Sequence, residues 1–326
     1  MQKVNSSDHL FVSEKEMVYS VQNFYEQCGK SLELELVAGA KGLKRRIQKS
    51  EVHRPGLGLA GFLKKYSSSR ILIFGKHEID YLKDLDPDLR RERLSLIFSP
   101  ATPALVIARN LRPPKEVVEL CEERDLPLFR SGFRATSLIP HITFFLMEKF
   151  SPRAIIPGTL VELYGVGVLI QGELSIGKSE AALGLIERGH RLVSDEIVHV
   201  NRKENRLVGA GDELTRHLIE IRGIGVINVA HLYGAICVRP DKEIDIVVKL
   251  EKWNDQYFYD RIGLDEKFIE MLGTSLSYHV LPVKPGRDVV LLLETIALSH
   301  RLKDMGYHSA KEFNVKLLEA IARKKK

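Results

Sequence analysis

Eight consecutive residues near the middle of the chain have the types and spacing that phosphate groups require. They match the pattern G-x-x-x-x-G-K-[ST] and are Gly172, Glu173, Leu174, Ser175, Ile176, Gly177, Lys178 and Ser179. A glycine-punctuated loop that leads into a helix points backbone N–H groups inward at an anion. We expect Lys178 to reach the β- and γ-phosphates and the Ser179 hydroxyl to bind Mg²⁺. The motif therefore predicts binding of ATP with Mg²⁺.

The segments that flank this motif have the patterns of a strand before it and a helix after it. Apolar runs at 160–163 and 166–170 predict two strands, and a helical pattern follows from about Lys178 to Arg188. The competing interpretation is an ordinary glycine turn, which this context disfavours.

Two adjacent acids, Asp195 and Glu196, follow the next predicted strand, 191–193. In a strand–loop–helix–strand unit, the end of the second strand lies near the loop that follows the first. Carboxylates at that place bind Mg²⁺ or accept a proton from an attacking hydroxyl or water. An acidic surface turn is the alternative, because acids most often face solvent. The pattern alone leaves both interpretations open.

Charged side chains also interrupt an apolar run at 218–228. Glu220 and Arg222 stand between apolar neighbours, and Gly223 and Gly225 allow close approach of the backbone. A structural ion pair is the competing account, since buried acids and arginines usually pair. Two later segments with basic groups have, taken alone, the composition of solvated surface: Asp260-Arg261 and Lys284-Pro285-Gly286-Arg287.

The composition is that of an ordinary globular protein with an excess of basic residues. Of the 326 residues, 44% are hydrophobic and 28% are charged, and the formal net charge is +6. The basic runs at 41–49, 90–93 and 323–326 contain no interleaved aromatic residues of the kind that stack on nucleic-acid bases. We therefore predict no nucleic-acid partner, whereas an acidic protein or a phosphorylated substrate suits the charge.

No segment has the composition of a membrane span or a secretion signal. No apolar stretch approaches the ~20 residues that a transmembrane helix needs, and the first eight residues lack the apolar run of a signal peptide. The three cysteines are far apart and form no C-x-x-C pair, which is typical of a reducing compartment. These features predict a cytoplasmic protein with no membrane partner.

The hydrophobic pattern predicts two α/β domains, 1–150 and 151–326. The predicted strands of the first are 32–37, 70–74, 94–98, 104–108 and 126–129, and its predicted helices include 113–124 and 140–150. Pro127 limits the last of these strands to an edge or to a strand start. The second domain contains the phosphate-binding motif and ends in helices.

These segments resemble the HPr kinase/phosphorylase family from about residue 30 to 315. Members of that bacterial family act on a serine of the phosphocarrier protein HPr. The segments that carry the resemblance are 54–57, 59–62, 99–103, 163–170, 177–180, 188–193, 216–223, 260–263, 284–287 and 300–306. The combination of Glu-Ile-Arg-Gly at 220–223 with this P-loop is specific to the family.

The resemblance implies an α/β fold with an N-terminal domain like that of Mur ligases, followed by a P-loop kinase core like phosphoenolpyruvate carboxykinase. It implies a homohexamer that uses ATP and Mg²⁺ and regulates sugar uptake and carbon metabolism through HPr.

The resemblance also implies residue roles. Lys178 would hold phosphates, Ser179 and Glu220 would hold Mg²⁺, and Arg261 would contact phosphate. Glu196 would be the general base, with Asp195 as its neighbour on the metal side. Segment 219–228, with Arg222, would serve both reactions, and segment 282–287, with Lys284 and Arg287, would serve dephosphorylation.

Four positions depart from the family's usual pattern. Pro157 stands in place of a catalytic histidine, Leu174 and Ser175 alter the P-loop, and Glu196 replaces the second of two aspartates. A proline side chain neither donates nor accepts a hydrogen bond, so a proton-transfer role at 157 is lost. Serine at 175 suits phosphate binding only if its φ angle is negative. We expect binding to survive these changes better than chemistry.

Three functions are compatible with this pattern. The first is a working kinase, with or without phosphorylase activity, on a serine of HPr or a paralogue. The second is a catalytically weakened paralogue that binds nucleotide and regulates a partner by contact, which the altered positions favour. The third is a different P-loop kinase or a nucleotide-gated binding module, which a small-molecule acceptor would favour. Transfer of the γ-phosphate to HPr discriminates among them.

Overall fold

The computed structural model describes residues 2–3, 12–13, 19–63, 68–257, 259, 264 and 266–324 and contains two compact units. One comprises residues 15–151, and the other comprises 152–326 together with 1–14. The chain start joins the second unit because β1 (Gln2–Lys3) pairs with a strand near residue 267 and β2 (Val12–Ser13) with a strand near 155. The predicted first domain, 1–150, differs from this division at its beginning.

The first unit is a five-stranded sheet with helices on both faces. Its strands are β3 (Glu35–Ala38), β4 (Val52–His53), β5 (Ile71–Phe74), β6 (Leu105–Ile107) and β7 (Leu128–Arg130). Its helices are α1 (Val21–Cys28), α2 (Gly56–Leu59), α3 (Lys76–Asp84), α4 (Pro87–Ile97), α5 (Lys115–Glu123) and α6 (Ala135–Lys149). The spatial order is β3-β7-β6-β5-β4, with β4 to β7 parallel and β3 antiparallel to β7.

The central strands of this sheet are apolar along their whole length because both faces are buried. In β5, Ile71 and Ile73 belong to a core that includes residues of α1 and α6. Leu72 and Phe74, which alternate with them, belong to a core that includes residues of α3, α4 and α5. The predicted strand at 70–74 is confirmed.

The predicted strand at 94–98 is wrong, because this segment is the end of helix α4. The helix begins at Pro87, whose fixed φ suits the first helical position, and it buries Leu94 and Ile97 three residues apart. A short apolar run does not by itself distinguish a strand from the buried turn of a helix.

Helix α6 and strand β7 also differ in detail from their predictions. The helix begins at Ala135, five residues before the predicted start at Pro140, because its buried positions continue at helical spacing on both sides of the proline. Strand β7 begins at Leu128, directly after Pro127, as a strand start should. It lies between β3 and β6 and not at an edge.

The second unit contains the phosphate-binding motif between a strand and a helix. Its further strands are β8 (Arg153–Pro157), β9 (Thr159–Leu163), β10 (Val166–Gly172), β11 (Arg191–Ser194), β12 (Ile197–Lys203), β13 (Arg206–Ala210), β14 (Leu218–Ile221), β15 (Gly225–Asn228), β16 (Asp241–Glu243), β17 (Ile246–Lys252), β18 (Lys267–Met271) and β19 (Thr274–Val283). Its helices are α7 (Lys178–Glu187), α8 (Val229–Tyr233), α9 (Val289–Asp304) and α10 (Ser309–Lys324).

A seven-stranded sheet in the order β1-β18-β19-β17-β10-β9-β11 forms the centre of this unit. Strands β10, β17 and β19 are parallel neighbours, whereas β9 is antiparallel to both β10 and β11. Strand β11 therefore runs in the same direction as β10. The carboxyl ends of β10, β11, β17 and β19 all lie at one edge of the sheet, which is where open α/β sheets bind ligands.

Each face of the seven-stranded sheet is covered by a different layer. On one face, Val168 and Ile170 pack with residues of α7, α9 and β14. On the other face, Leu169 packs with residues of a second sheet, β16-β13-β12-β8-β2, in which every pair is antiparallel. Within the described residues, no helix has both the length and the apolar character that a membrane crossing requires.

Candidate active site

The phosphate-binding loop leaves β10 at Gly172 and enters α7 at Lys178. Gly172 has φ 153°, and a Cβ there would stand 2.7 Å from the carbonyl oxygen of Leu250. Gly177 caps the helix with φ 98°, which L side chains rarely adopt. The two glycines therefore fix the path that leads the chain from the strand into the helix N-terminus, where free N–H groups attract anions.

Ser175 also has a positive φ, of 68°, although it is not a glycine. A serine at this position is expected to suit phosphate binding only with a negative φ, and the observed angle does not meet that condition. A left-handed backbone costs an L-residue roughly 1–2 kcal/mol. Its neighbour Leu174 is 86% exposed, so neither altered side chain contributes to the core.

The side chain of Lys178 folds back over the loop that precedes it. Its ammonium Nζ donates hydrogen bonds to the carbonyl oxygens of Gly172, at 3.1 Å, and Glu173, at 2.9 Å. This position keeps a positive charge at the phosphate-binding loop, as phosphate binding requires. The Glu173 carboxylate forms an exposed ion pair with Lys252 at 3.4 Å.

A buried carboxylate, that of Asp195, joins three parts of the site. Its Oδ2 accepts a hydrogen bond from the Ser179 hydroxyl at 2.8 Å, and its Oδ1 accepts one from the Thr159 hydroxyl at 2.6 Å. Asp195 is only 6% exposed, and Thr159 is fully buried. Burial of a carboxylate is tolerated when hydrogen bonds satisfy its oxygens. The interpretation of Asp195 as part of an exposed acidic turn is therefore wrong.

These residues meet because of the strand directions. Asp195 directly follows β11, and the loop that ends at Lys178 follows β10, so both lie at the carboxyl edge of the sheet. Thr159 begins β9, which runs between them in the opposite direction. Sequence reasoning did not identify Thr159. Its only local signal is a polar residue at the start of an apolar strand.

Glu196 and Pro157 lie side by side next to Asp195. The Glu196 carbonyl oxygen accepts a hydrogen bond from the Gly158 N–H at 2.9 Å, and Pro157 is the partner of Ile197 across β8 and β12. Both Glu196 and Pro157 are exposed. The structure therefore brings together two positions that depart from the family pattern.

Glu220 and Arg222 lie on the β14–β15 hairpin. The alternating residues Ile219 and Ile221 are buried in the core that includes α7, which leaves Glu220 and Arg222 exposed. In the part of the chain that the structure describes, neither forms an ion pair, so the structural-pair account is not supported. The Ser179 hydroxyl donates its hydrogen bond to Asp195 and not to Glu220. The role of Glu220 as a Mg²⁺ ligand therefore stays a prediction.

Lys284 and Arg287 follow β19 at the same edge of the sheet. The Lys284 ammonium lies 4.4 Å from the centroid of the Trp253 ring, and the Arg287 guanidinium carbon lies 5.8 Å from it. Arg261, a further candidate site residue, and its neighbour Asp260 lie outside the described residues.

An ionic cluster fixes the C-terminal end of α7. Glu294 on α9 accepts hydrogen bonds from Arg188 at 2.7 Å and from His190 at 2.9 Å, and it is 8% exposed. Burial raises the pKa of Glu294, but the hydrogen bonds from His190 and Arg188 and the guanidinium charge outweigh it, so the pKa falls below its ordinary value. The helix that carries Ser179 is therefore held at both ends.

Comparison with known proteins decides the family. A family model described as HPr Serine kinase C-terminal domain matches residues 148–317, and one described as HPr Serine kinase N terminus matches residues 19–146. An HPr kinase/phosphorylase from Geobacillus kaustophilus is 41% identical over 290 residues, which cover 89% of this chain and 93% of that protein. The chain belongs to the HPr kinase/phosphorylase family.

A further relative agrees with this assignment. An HPr kinase/phosphorylase from Bacillus cytotoxicus is 42% identical over 290 residues, which cover 89% of this chain and 94% of the relative. The solved structure of the Hpr(Ser) kinase/phosphatase from Coxiella burnetii is 34% identical and covers 49% of this chain and 97% of its own, with a TM-score of 0.45. The predicted family and α/β class are confirmed, and kinase family membership implies nucleotide use. The likeness to Mur ligases and phosphoenolpyruvate carboxykinase stays a prediction.

The strain at Ser175 can be measured. We expect Ser175→Gly to raise the free energy of unfolding of the second unit by about 0.5–1 kcal/mol, because glycine adopts a left-handed backbone without steric cost. Chemical unfolding followed by circular dichroism measures the change. The matched control is Gly177→Ala, where the only neighbour of an added Cβ is Glu180 Oε2 at 4.0 Å, so any loss of stability reports the backbone angle alone. A loss of stability in Ser175→Gly would contradict the account.

Proposed function

We propose that this protein is an ATP- and Mg²⁺-dependent kinase that phosphorylates a serine of HPr. The observation that carries the proposal is the hydrogen bond from Ser179, at the P-loop helix, to the buried carboxylate of Asp195. The relatives named HPr kinase/phosphorylase support the choice of acceptor. They also favour a working enzyme over a regulatory binding module, and over a kinase with a small-molecule acceptor.

The P-loop supplies the phosphate-binding part of the proposed mechanism. Its backbone amides and the Lys178 ammonium bind the β- and γ-phosphates, and Arg222 adds charge where the transferred group becomes more anionic. The Lys178 ammonium donates hydrogen bonds to the carbonyl oxygens of Gly172 and Glu173. It can turn to phosphate oxygens instead, because they accept hydrogen bonds from the same three N–H groups. We assign Arg261 to phosphate on the resemblance alone.

Ser179 and Asp195 fit a Mg²⁺ ion because both offer hard oxygen ligands. This ion keeps several waters and uses one or two carboxylates together with substrate phosphates. Among the described residues, no group of three or more His, Cys, Asp or Glu side chains could hold a metal. We add Glu220 as a third protein ligand on the resemblance. When bound, the ion neutralises charge on the phosphates.

Glu196 is the proposed general base. Asp195 is buried and accepts hydrogen bonds from two hydroxyls, whereas Glu196 stands next to it and is exposed to an incoming protein substrate. Glu196 accepts the proton of the serine hydroxyl as the oxygen bonds to the γ-phosphorus and ADP leaves. Glutamate has one more methylene than the aspartate of the family pattern, so its reach differs by about one C–C bond.

The finer parts of the proposal rest on the resemblance. We propose a cytoplasmic homohexamer in which phosphorylation of HPr regulates sugar uptake and carbon metabolism. Lys284 and Arg287 serve the reverse reaction, in which inorganic phosphate attacks phosphoserine and releases pyrophosphate.

Binding and transfer should respond to different substitutions. We expect Lys178→Ala to lose about 1.5–3 kcal/mol of Mg·ATP binding, the value of hydrogen bonds to charged groups. Glu196→Gln should keep ATP affinity but lower phosphate transfer to HPr by about 10²-fold or more, because the amide keeps the shape and cannot accept the proton. Calorimetry measures binding, and radiolabelled ATP with the organism's own HPr measures transfer.

The two variants act as controls for each other, since each loses what the other keeps. Equal ATP affinity in Lys178→Ala and the parent would contradict the P-loop assignment. Transfer at the parent rate by Glu196→Gln would show that Glu196 is not the base. No transfer to HPr by the parent protein would contradict the proposed function itself.

Phosphorolysis is expected to be slower than the kinase reaction. It brings two anions, phosphate and phosphoserine, into one pocket, which is electrostatically harder than bringing a neutral hydroxyl to ATP. A histidine at position 157 can donate a hydrogen bond to phosphate or carry a positive charge beside it, and Pro157 can do neither. Because Pro157 is exposed at the end of β8, Pro157→His should fold normally and gain the reverse reaction.

The measurement is pyrophosphate release from phosphoserine-HPr with millimolar phosphate, for the parent and for Pro157→His. Release by the parent as fast as its forward kinase rate would refute this expectation.

A further inference from the structure

The chain's only tryptophan lies at the ligand-binding edge of the seven-stranded sheet. Trp253 directly follows β17, which is the neighbour of both β10 and β19. Its backbone N–H donates a hydrogen bond to the carbonyl oxygen of Val283, the last residue of β19, at 2.9 Å. The backbone of Trp253 is therefore fixed to the start of the loop that contains Lys284 and Arg287.

Further contacts determine the position of the indole ring. Its Nε1–H donates a hydrogen bond to Asp255 Oδ1 at 2.7 Å, and the ring centroid of Tyr259 lies 5.0 Å away. The side chain nevertheless remains 36% exposed, which is unusual for a residue that can bury so much apolar area. This ring is placed as part of a surface and not as part of the core.

Two cations lie over the exposed indole. The Lys284 ammonium at 4.4 Å and the Arg287 guanidinium at 5.8 Å are both within the range of cation–π attraction. Arg287 also donates a hydrogen bond to the Pro282 carbonyl oxygen at 2.9 Å. Across the described part of the chain, neither cation forms an ion pair with a carboxylate. Their charge is therefore held in place by a neutral ring and remains available to an anion.

This cationic group adjoins the phosphate-binding loop. Lys252, the last residue of β17, forms an ion pair with Glu173 of that loop at 3.4 Å. Leu250 of β17 is paired with Gly172, the first residue of the loop. Strands β10, β17 and β19 are consecutive neighbours, and adjacent strands are about 4.8 Å apart. The three strand ends thus place the indole and its cations beside the phosphate-binding loop.

We propose that Trp253 is a positioning residue, whose indole holds Lys284 and Arg287 at the P-loop edge so that they bind a phosphate group there. With an aliphatic residue in place of Trp253, the long, flexible side chains of Lys284 and Arg287 would extend into solvent. Ordering them when phosphate binds would then have an entropic cost. The indole ring orders the two cations before phosphate binds. A carboxylate partner would also neutralise their charge, whereas the ring does not. This proposal rests on the proposed function for the identity of the phosphate carrier, but the binding it describes is independent of catalysis.

The test uses inorganic phosphate as the probe and measures its dissociation constant by calorimetry on the full chain. Trp253→Leu should raise that constant roughly three- to tenfold, the range of a cation–π contact converted to affinity. Trp253→Phe, which keeps an aromatic face, should lose clearly less. The affinity for Mg·ATP, which depends on the P-loop amides and Lys178, should stay nearly constant in both variants and shows that they are folded.

A thermodynamic cycle distinguishes positioning from a general structural effect. In a protein that carries Lys284→Met and Arg287→Met, Trp253→Leu should have no further effect on phosphate binding, because the groups through which it acts are gone. An equal effect of Trp253→Leu in both backgrounds would overturn the proposal. So would a parent-like phosphate affinity in Trp253→Leu, or equal losses in the leucine and phenylalanine variants.

A fluorescence measurement on the parent protein covers the case in which Trp253→Leu does not fold. Because Trp253 is the only tryptophan, its emission reports the cations above it. Added phosphate should change the emission saturably in the parent and not in the double methionine variant. Phosphate binding without any emission change would overturn the proposal. If the protein transfers no phosphate to HPr but Trp253→Leu still weakens phosphate binding, the proposed function is contradicted and the role of Trp253 is not.

Discussion

The site depends on one buried carboxylate. Asp195 is almost completely removed from solvent, so its two oxygens need hydrogen-bond donors, and they receive the hydroxyls of Ser179 and Thr159. This requirement fixes the first turn of α7, the start of β9 and the end of β11 relative to one another. The same Asp195 and Ser179 oxygens suit Mg²⁺, so one constraint serves both folding and the proposed chemistry.

The surrounding structure maintains this arrangement from two directions. Strand order places the ends of β10, β11, β17 and β19 at one edge, which brings the P-loop, Asp195, Trp253 and the cationic loop together. After the C-terminal end of α7, Arg188 and His190 donate hydrogen bonds to Glu294 and so tie this end of the helix to α9. The exposed residues Glu196 and Pro157 are then free to differ from the family pattern without loss of fold.

Local patterns predicted the strand, loop and helix of the P-loop and the acids after β11, because those features depend on neighbours in sequence. They did not reveal Thr159, Trp253 or Glu294, whose partners lie dozens of residues away and become visible only through strand order. The error at 94–98 has a different cause, since a short apolar run suits a strand and a buried helical turn equally. The positive φ of Ser175 has no signal in the local sequence pattern.

Asp195 and Ser179 are proposed ligands of the Mg²⁺ that accompanies ATP. The effect of Mg²⁺ on ATP affinity in Asp195→Asn tests this assignment most directly. The amide keeps the size of the side chain and still accepts a hydroxyl, but it lacks the negative charge that attracts the ion. Calorimetry with and without Mg²⁺ should show a large Mg²⁺-dependent gain in ATP affinity for the parent and little or none for the variant. A gain in Asp195→Asn as large as in the parent would contradict the account.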